Sequence, residues 1–323
     1  MICCRSITAF GFLLLCIGAT PLRGEAQSGR ADPYVLEACD SIAELLEAEN
    51  GFQGLVNPVF RNSDQLEARV EDYKEMLSCL NSVSASADGL DWVQNVRYHL
   101  RLFLSFAAPT EFIARGSSLE LVDFQASQDP AIRRLVEDVG LAAPEGLVLV
   151  RYFQSREQMP ENIRRAFENP QTQAVTMASR YVAILTSSRN PGVARTGSGA
   201  LASTASHEFV HAFLNARLNP ELSPAGFPGW FHEGMAIHFS DGGASHISVN
   251  PVSGELLRIE PTAQYEQYER VFRYLEAALG IGEFNREVRR AVDDVDPSVL
   301  YRGVNLPSYE ELALSAELWW RWW

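Results

Sequence analysis

Two histidines four residues apart constrain the fold of this chain more than any other feature of its sequence. They are His207 and His211, in the segment "STASHEFVHAFLNARL". On an α-helix, four positions correspond to about 40° of rotation, so both imidazoles project from one face, one turn apart. An apolar stripe occupies the opposite face, formed by Ala205, Phe209, Ala212, Phe213 and Ala216. The segment therefore predicts a helix that is buried on one side and presents two imidazoles on the other.

Glu208 follows the first histidine directly, which completes the pattern H-E-x-x-H. This pattern is typical of zinc sites in which the glutamate takes a proton from water. The pattern alone is only moderately specific, and a catalytic site needs a third protein ligand. A metzincin would supply glycine and histidine three and six residues after the second histidine, but Leu214 and Arg217 occupy those positions. The third ligand must therefore come from another segment.

The segment "PGWFHEGMAIHF" offers three further metal-binding side chains, namely His232, Glu233 and His238. It follows a turn rich in proline and glycine, so we predict a second helix over 229–240. Neighbouring positions on a helix point about 100° apart, so one metal cannot readily take both His232 and Glu233. His238 lies about 140° round from Glu233 and belongs to another face. We predict Glu233 as the third ligand, His232 as a residue beside the substrate or behind a ligand, and His238 as structural.

The two motifs together, "HEFVH" and "PGWFHEGMA", resemble those of the gluzincin metallopeptidases, most closely the peptidase MA-like family. A third segment, "YEQYERVFRYLEAALG", is similar to the tyrosine-led helix of that family. The resemblance covers residues 147–320 and is strongest at the two metal motifs. It implies an α+β fold of the gluzincin or thermolysin-like type, with a small mixed sheet, active-site helices and a helical C-terminal part.

The resemblance also implies an activity, which is hydrolysis of peptide bonds by a zinc-dependent metallopeptidase. His207, His211 and Glu233 match the family's metal positions and would hold one Zn²⁺ per chain. Glu208 matches the base that activates a zinc-bound water. Tyr265 is the best match for the residue that steadies the oxyanion, and Tyr268 is the next. The implied partner is a peptide or protein substrate.

Some positions depart from the family pattern. Ile237 stands where some gluzincins carry an aspartate that orients a histidine, so we expect that role to fall elsewhere, for example on Asp241. The segment "TGSGALAST" has no counterpart of the amine-binding element of M1-type aminopeptidases, which favours an endopeptidase. Two other functions stay open: a peptidase-like binding or scaffold module with a structural zinc, and a zinc hydrolase of a non-peptide substrate. Gly234 and Ala236 are small, and we expect them to let the two metal-binding helices approach.

The rest of the second half alternates strand and helix patterns. The run "LVLVRYF", 147–153, predicts a strand, 155–166 a helix, and 174–187 one strand or two close ones. We expect the strand that ends near Thr186 to offer an edge to an extended peptide. Further helices are predicted over 201–218, 262–280, 283–294 and 307–320. The closing "ELWWRWW" predicts packing of the last helix, or a patch that binds a partner.

The N-terminal third predicts two segments, a signal peptide over 1–26 and a helical bundle over 27–108, before a metallopeptidase-like domain over 109–323. Cys39 and Cys79 remain after signal removal, and we expect them to form a disulfide, with two buried thiols as the alternative.

A signal peptide favours a secreted or periplasmic protein over one held by an uncleaved anchor, and Leu15 before Cys16 disfavours a lipoprotein. No other run is long and apolar enough to predict a stable membrane insertion. The net charge of −14 argues against a nucleic-acid partner. The sequence does not indicate an oligomeric state.

Overall fold

The structure is a computed structural model. It describes residues 39, 42, 54, 58–82, 90–108, 117–168, 172–186, 197–217, 227–240, 247–249, 256–258 and 263–322. The predicted signal peptide and Asp241 lie outside these residues, and so does most of the first helix expected in the N-terminal bundle. Within the described ranges, no helix combines the length and apolar character needed to cross a bilayer.

Two long helices form the described part of the N-terminal region, α1 (Ser63–Ser82) and α2 (Leu90–Ala107). Both were expected from apolar residues spaced three and four apart, and those of α1 are buried. They pack through aromatic side chains, since the rings of Tyr73 and Phe103 lie 4.6 Å apart, edge to face. The predicted disulfide is confirmed: Cys39 is bonded to Cys79 in α1, with the two Cα atoms 6.0 Å apart.

The centre of the molecule is a four-stranded mixed sheet. Its strands are β1 (Ser118–Asp123), β2 (Leu147–Phe153), β3 (Ala174–Met177) and β4 (Tyr181–Leu185), in the order β1-β2-β4-β3. The central pair β2 and β4 is parallel, and the two outer pairs are antiparallel. The prediction of a strand at 147–153 is confirmed, and the run 174–187 forms two strands. β1 was not predicted from the sequence.

The sheet corrects two expectations. The strand that ends near Thr186 is β4, which is paired on both sides, so among the described residues the edge strands are β1 and β3 rather than β4. The single helix expected over 155–166 is wrong. A 3₁₀ turn, Arg156–Gln158, is followed by Met159 in an extended conformation and then by α4 (Glu161–Arg164). Pro160 explains the break, because proline disfavours the helical conformation in the residue before it.

The central strands are buried on both faces, so successive residues face two different cores. Val148, Val150, Val182 and Ile184 face the core that contains the helices after the sheet. Leu149, Phe153, Tyr181 and Ala183 face the core shared with α1 and α2. Arg151 is the polar exception in β2, and its guanidinium donates a 3.1 Å hydrogen bond to the carbonyl of Phe106 near the end of α2. The sheet therefore separates the N-terminal helices from the helices that carry the histidines.

The helical part begins with a short helix between β1 and β2, α3 (Pro130–Arg133), which continues as a π-helical turn, Arg134–Asp138. The later elements are α5 (Gly197–Arg217), α6 (Gly229–Phe239), β5 (Ile247–Val249), β6 (Leu256–Arg258), α7 (Ala263–Leu279), α8 (Ile281–Asp293), α9 (Ser298–Gly303) and α10 (Tyr309–Trp322). The five long helices agree with the predicted ones to within a few residues. The antiparallel pair β5 and β6 and the helix α9 are too short to show a period in the sequence. Helices and a small mixed sheet together make an α+β fold.

Two tryptophans of α10 differ in their surroundings, and the sequence had suggested either packing of this helix or a patch that binds a partner. The ring of Trp319 packs against Tyr274 of α7, with centroids 6.0 Å apart. Trp320 is 41% exposed, and the guanidinium of Arg270 lies 5.8 Å from its ring centroid. Packing of the last helix is therefore confirmed for Trp319, and a partner for the exposed ring stays a prediction.

Candidate metal centre

The three predicted ligands converge on one point between α5 and α6. The Nε2 atoms of His207 and His211 lie 3.1 Å apart. Oε2 of Glu233 lies 3.4 Å from Nε2 of His207 and 3.3 Å from Nε2 of His211. Among the described residues, these three side chains form a group that could hold a metal ion.

The spacing of the three donor atoms fits a small tetrahedral cation. Metal–ligand distances of about 2.0–2.1 Å, as for nitrogen and oxygen ligands of zinc, give a tetrahedron whose edges are about 3.3–3.4 Å long. The observed separations, 3.1, 3.3 and 3.4 Å, match such an edge. Two imidazoles and one carboxylate also suit several first-row transition metals. Three protein donors leave the fourth position for water or substrate.

The electrostatics of the group favour a cation. Burial by itself would raise the pKa of the Glu233 carboxyl, but the two imidazoles hold it well below its ordinary value. Burial works against protonation of His211, yet the carboxylates of Glu233 and Glu208 raise its pKa. Glu233 is therefore ionised, although its exposed fraction is only 6%. A buried carboxylate beside two imidazoles is stabilised by positive charge between them, which a metal ion supplies.

Glu208, the predicted base, is buried beside the ligands and faces the sheet. Its Oε2 accepts a 2.7 Å hydrogen bond from Oγ1 of Thr176, in edge strand β3. Thr176 was not predicted from the sequence, because it lies 32 residues earlier in the chain. A threonine in a strand has no local feature that marks such a contact.

His232 lies behind a ligand rather than in the metal group. Its ring stacks on that of His211, with centroids 4.2 Å apart and 22° between the planes. Its Nε2 lies 3.0 Å from Oδ1 of Asn215, whose Nδ2 donates a 3.1 Å hydrogen bond to the carbonyl of Ala178. Since Asn215 Oδ1 can only accept, Nε2 of His232 carries the proton. Burial, with the neighbouring imidazoles, lowers the pKa of His232 to about 3, so its ring is neutral.

These contacts connect three elements around the candidate ligand His211. Asn215 lies one turn after it in α5, His232 lies in α6, and Ala178 lies in the turn between β3 and β4, with a positive φ of 53°. The carboxamide of Asn215 therefore fixes both the turn and the ring that stacks on the ligand.

Replacing Asn215 by alanine is expected to weaken metal binding by about tenfold, the lower end of the range for groups that support a ligand. Both hydrogen bonds are lost, so the ring of His232 and the ligand beneath it gain freedom. Titration with Zn²⁺ against a competing chelator measures the affinity. Asn285→Ala is the matched control, because Asn285 makes a single 3.3 Å hydrogen bond to a carbonyl outside the site. Equal affinities of the two variants would contradict the supporting role.

His238 lies on another side of α6, as its position on the helix predicts. Its ring packs against Phe239, Phe272 and Phe284. Burial, together with the charges of Arg134 and Arg273, lowers its pKa to about 3. Its Nε2 is 3.7 Å from a Glu276 oxygen, which is too long for a hydrogen bond. His238 is therefore a neutral core residue.

The role expected for Gly234 is corrected by the structure. We predicted that it would let the two metal-binding helices approach each other. A Cβ at Gly234 would instead lie 2.3 Å from a ring carbon of Phe272, which belongs to α7. The glycine therefore admits an aromatic ring from the following helix, next to the candidate ligand Glu233.

Tyr265 and Tyr268 lie on one side of α7. Their ring centroids are 6.4 Å apart, and Tyr265 packs at the margin of the core that contains α5 and α6. The hydroxyl of Tyr268 approaches Gly229, one turn before Glu233, within 4.0 Å of the position that a Cβ would take there. The oxyanion role of Tyr265 stays a prediction.

Comparison with known protein families, with curated proteins and with solved structures found no match for this chain. The resemblance read from the two motifs therefore stays a prediction.

Proposed function

We propose that this protein is a zinc-dependent metallopeptidase of the gluzincin type, which acts as an endopeptidase in a secreted or periplasmic location. One observation carries the proposal: the donor atoms of His207, His211 and Glu233 have the spacing of a tetrahedral metal site, and Glu208 lies beside them. A carboxylate adjacent to a three-ligand site is the arrangement that metal-assisted hydrolysis needs. The predicted signal peptide is the basis for the proposed location.

In this proposal, His207, His211 and Glu233 hold the metal, and Glu208 moves the proton. When bound, the metal supplies Lewis acidity, which lowers the pKa of water and polarises a carbonyl group. Glu208 has one oxygen, Oε2, engaged by Thr176, which leaves Oε1 to accept a proton. It takes that proton from the attacking water and passes it to the nitrogen of the leaving amine, so the carboxylate is restored at the end of the cycle. Tyr265 is proposed to donate a hydrogen bond to the oxyanion.

The edge strand supports a peptide substrate. The amide of Leu185 donates to the carbonyl of Gln173, so these two residues form a hydrogen-bonded pair of the β3–β4 ladder. Pairs alternate along an antiparallel ladder, so Ala174 and Thr176 direct their N–H and C=O groups away from β4. An extended peptide can pair with these groups next to α5 and so add a strand to the edge of the sheet.

The proposal is tested by metal analysis together with a peptide-library cleavage profile. We expect about one zinc per chain, cleavage within peptides, loss of cleavage on chelation and its return when zinc is added. A zinc-loaded protein that cleaves no peptide would overturn the proposal. Cleavage of esters or other non-peptide substrates alone would favour a different zinc hydrolase, and unfolding on chelation without any turnover would favour a scaffold with a structural zinc.

A further inference from the structure

We propose that Thr176 is a positioning residue for the base Glu208, a role that rests on the proposed peptidase function. The hydroxyl Oγ1 of Thr176 lies 2.7 Å from Oε2 of Glu208 and 2.9 Å from the main-chain oxygen of the same residue. Both residues lie where α5 packs against β3. The contact joins the edge strand of the sheet to the one side chain that would move protons.

The hydroxyl has one hydrogen, and the carboxylate is the better acceptor for it. The main-chain oxygen of Glu208 lies in the interior of α5, where it already accepts from the amide four residues later. Hydrogen bonds to an ionised carboxylate are shorter and stronger than those to a neutral carbonyl. The shorter of the two distances is the one to Oε2, in agreement with this choice. Thr176 therefore fixes the rotation of the carboxylate and selects Oε1 as the oxygen that faces the reaction.

The same residue also belongs to β3, which is an edge strand of the sheet in the part of the chain that the structure describes. Its side chain points to the core that contains α5, whereas the neighbouring Val175 and Met177 face the core of the N-terminal helices. Its N–H and C=O point away from β4, because Thr176 and Val182 form a non-hydrogen-bonded pair of the ladder. A peptide paired with this edge would be aligned by the main chain of Thr176 while the base is aligned by its hydroxyl. One residue thus sets the position of the substrate relative to the base.

A hydroxyl that only ties a strand to a helix would affect folding and not turnover. A measurement of kcat distinguishes the structural role from the positioning role, because a misplaced base slows the chemical step in a protein that still binds metal and substrate. Misplacement by about 1 Å can lower a rate by about 100-fold. We therefore expect Thr176→Val, which keeps the shape and removes the hydroxyl, to lower kcat by about 10–100-fold with KM changed less than about twofold.

The test compares Thr176→Val, Thr176→Ser and wild type for kcat, KM, zinc content and urea unfolding. Serine restores the hydroxyl, so we expect it to recover most of the lost kcat. Thr186→Val is the matched control, because Thr186 follows β4 and its Oγ1 donates a 3.1 Å hydrogen bond to the carbonyl of Phe153, the last residue of β2. It is expected to keep the wild-type kcat. All variants should keep the wild-type zinc content.

Several outcomes would overturn the inference. Full kcat in Thr176→Val, no recovery in Thr176→Ser, or loss of zinc in parallel with activity would each contradict a positioning role. A double-mutant cycle of Thr176→Val with Glu208→Ala in urea unfolding measures the hydrogen bond without any catalysis, because each change removes one partner, and additive effects would show that the bond is absent. If wild type with bound zinc cleaves no peptide, the proposed function fails first, and the role of Thr176 in turnover fails with it.

Discussion

Replacing Glu208 by glutamine is expected to leave zinc in place and to lower turnover by about 10²–10⁴-fold, the usual contribution of a general acid–base group. Glutamine has nearly the same shape, and its amide can still accept the hydrogen bond from Thr176. It cannot take a proton from water at neutral pH. The three donor atoms of the metal group belong to other residues, so their geometry is kept. Zinc content per chain and kcat on a peptide found by library cleavage measure the two effects.

Glu287→Gln provides the matched control for that experiment. Glu287 is also a buried glutamate in a helix, and it pairs with Arg290 outside the metal centre. We expect it to keep turnover, even where it lowers stability. Wild-type kcat in Glu208→Gln would end the assignment of the base. Loss of zinc from Glu208→Gln would mean instead that Glu208 contributes to metal binding.

The three residues of the candidate metal group were predictable from short motifs. His207 and His211 share a helix face at a spacing of four, and Glu233 matches a metal position in the motif that resembles the gluzincin family. Helix geometry adds that His232 and Glu233 point in different directions, so both cannot readily bind one metal. The apolar stripe of α5 was also predictable, and Phe209, Ala212 and Phe213 are buried as expected. In each case, the sequence pattern that predicts the residue lies within a few positions of it.

The contacts that orient these residues could not be predicted, because they join distant segments. Thr176 reaches Glu208 across 32 positions, and Asn215 reaches Ala178 across 37. The edge strand could not be identified either, since its place depends on how β2 and β4 pair across a long connection. Pro160 was the exception, because the break that it causes in the helix expected over 155–166 could have been foreseen from the sequence alone.

Replacing Gly234 by alanine is expected to lower the free energy of unfolding by about 2 kcal/mol, within the range for overpacked cores. The added Cβ would lie 2.3 and 2.5 Å from two ring carbons of Phe272, which is fully buried and cannot swing into solvent. Either the ring or α6 must therefore shift. The gain of about 1 kcal/mol from alanine in a helix is too small to offset this clash. Because Glu233 is the preceding residue, a shift of α6 should also weaken zinc binding. Urea unfolding and a zinc titration measure the two effects.

Gly282→Ala separates the clash from the general effect of alanine in a helix. Gly282 lies in the first turn of α8, and a Cβ there would have no atom within 4 Å. This control is expected to be neutral or stabilising by up to about 1 kcal/mol. Adding Phe272→Leu to Gly234→Ala should cost less than the sum of the two single changes, because the smaller side chain vacates the space that the Cβ needs. Additive effects, or a Gly234→Ala variant as stable as Gly282→Ala, would show that Phe272 does not pack on Gly234, and the position of α7 against the metal-binding helix would then be wrong.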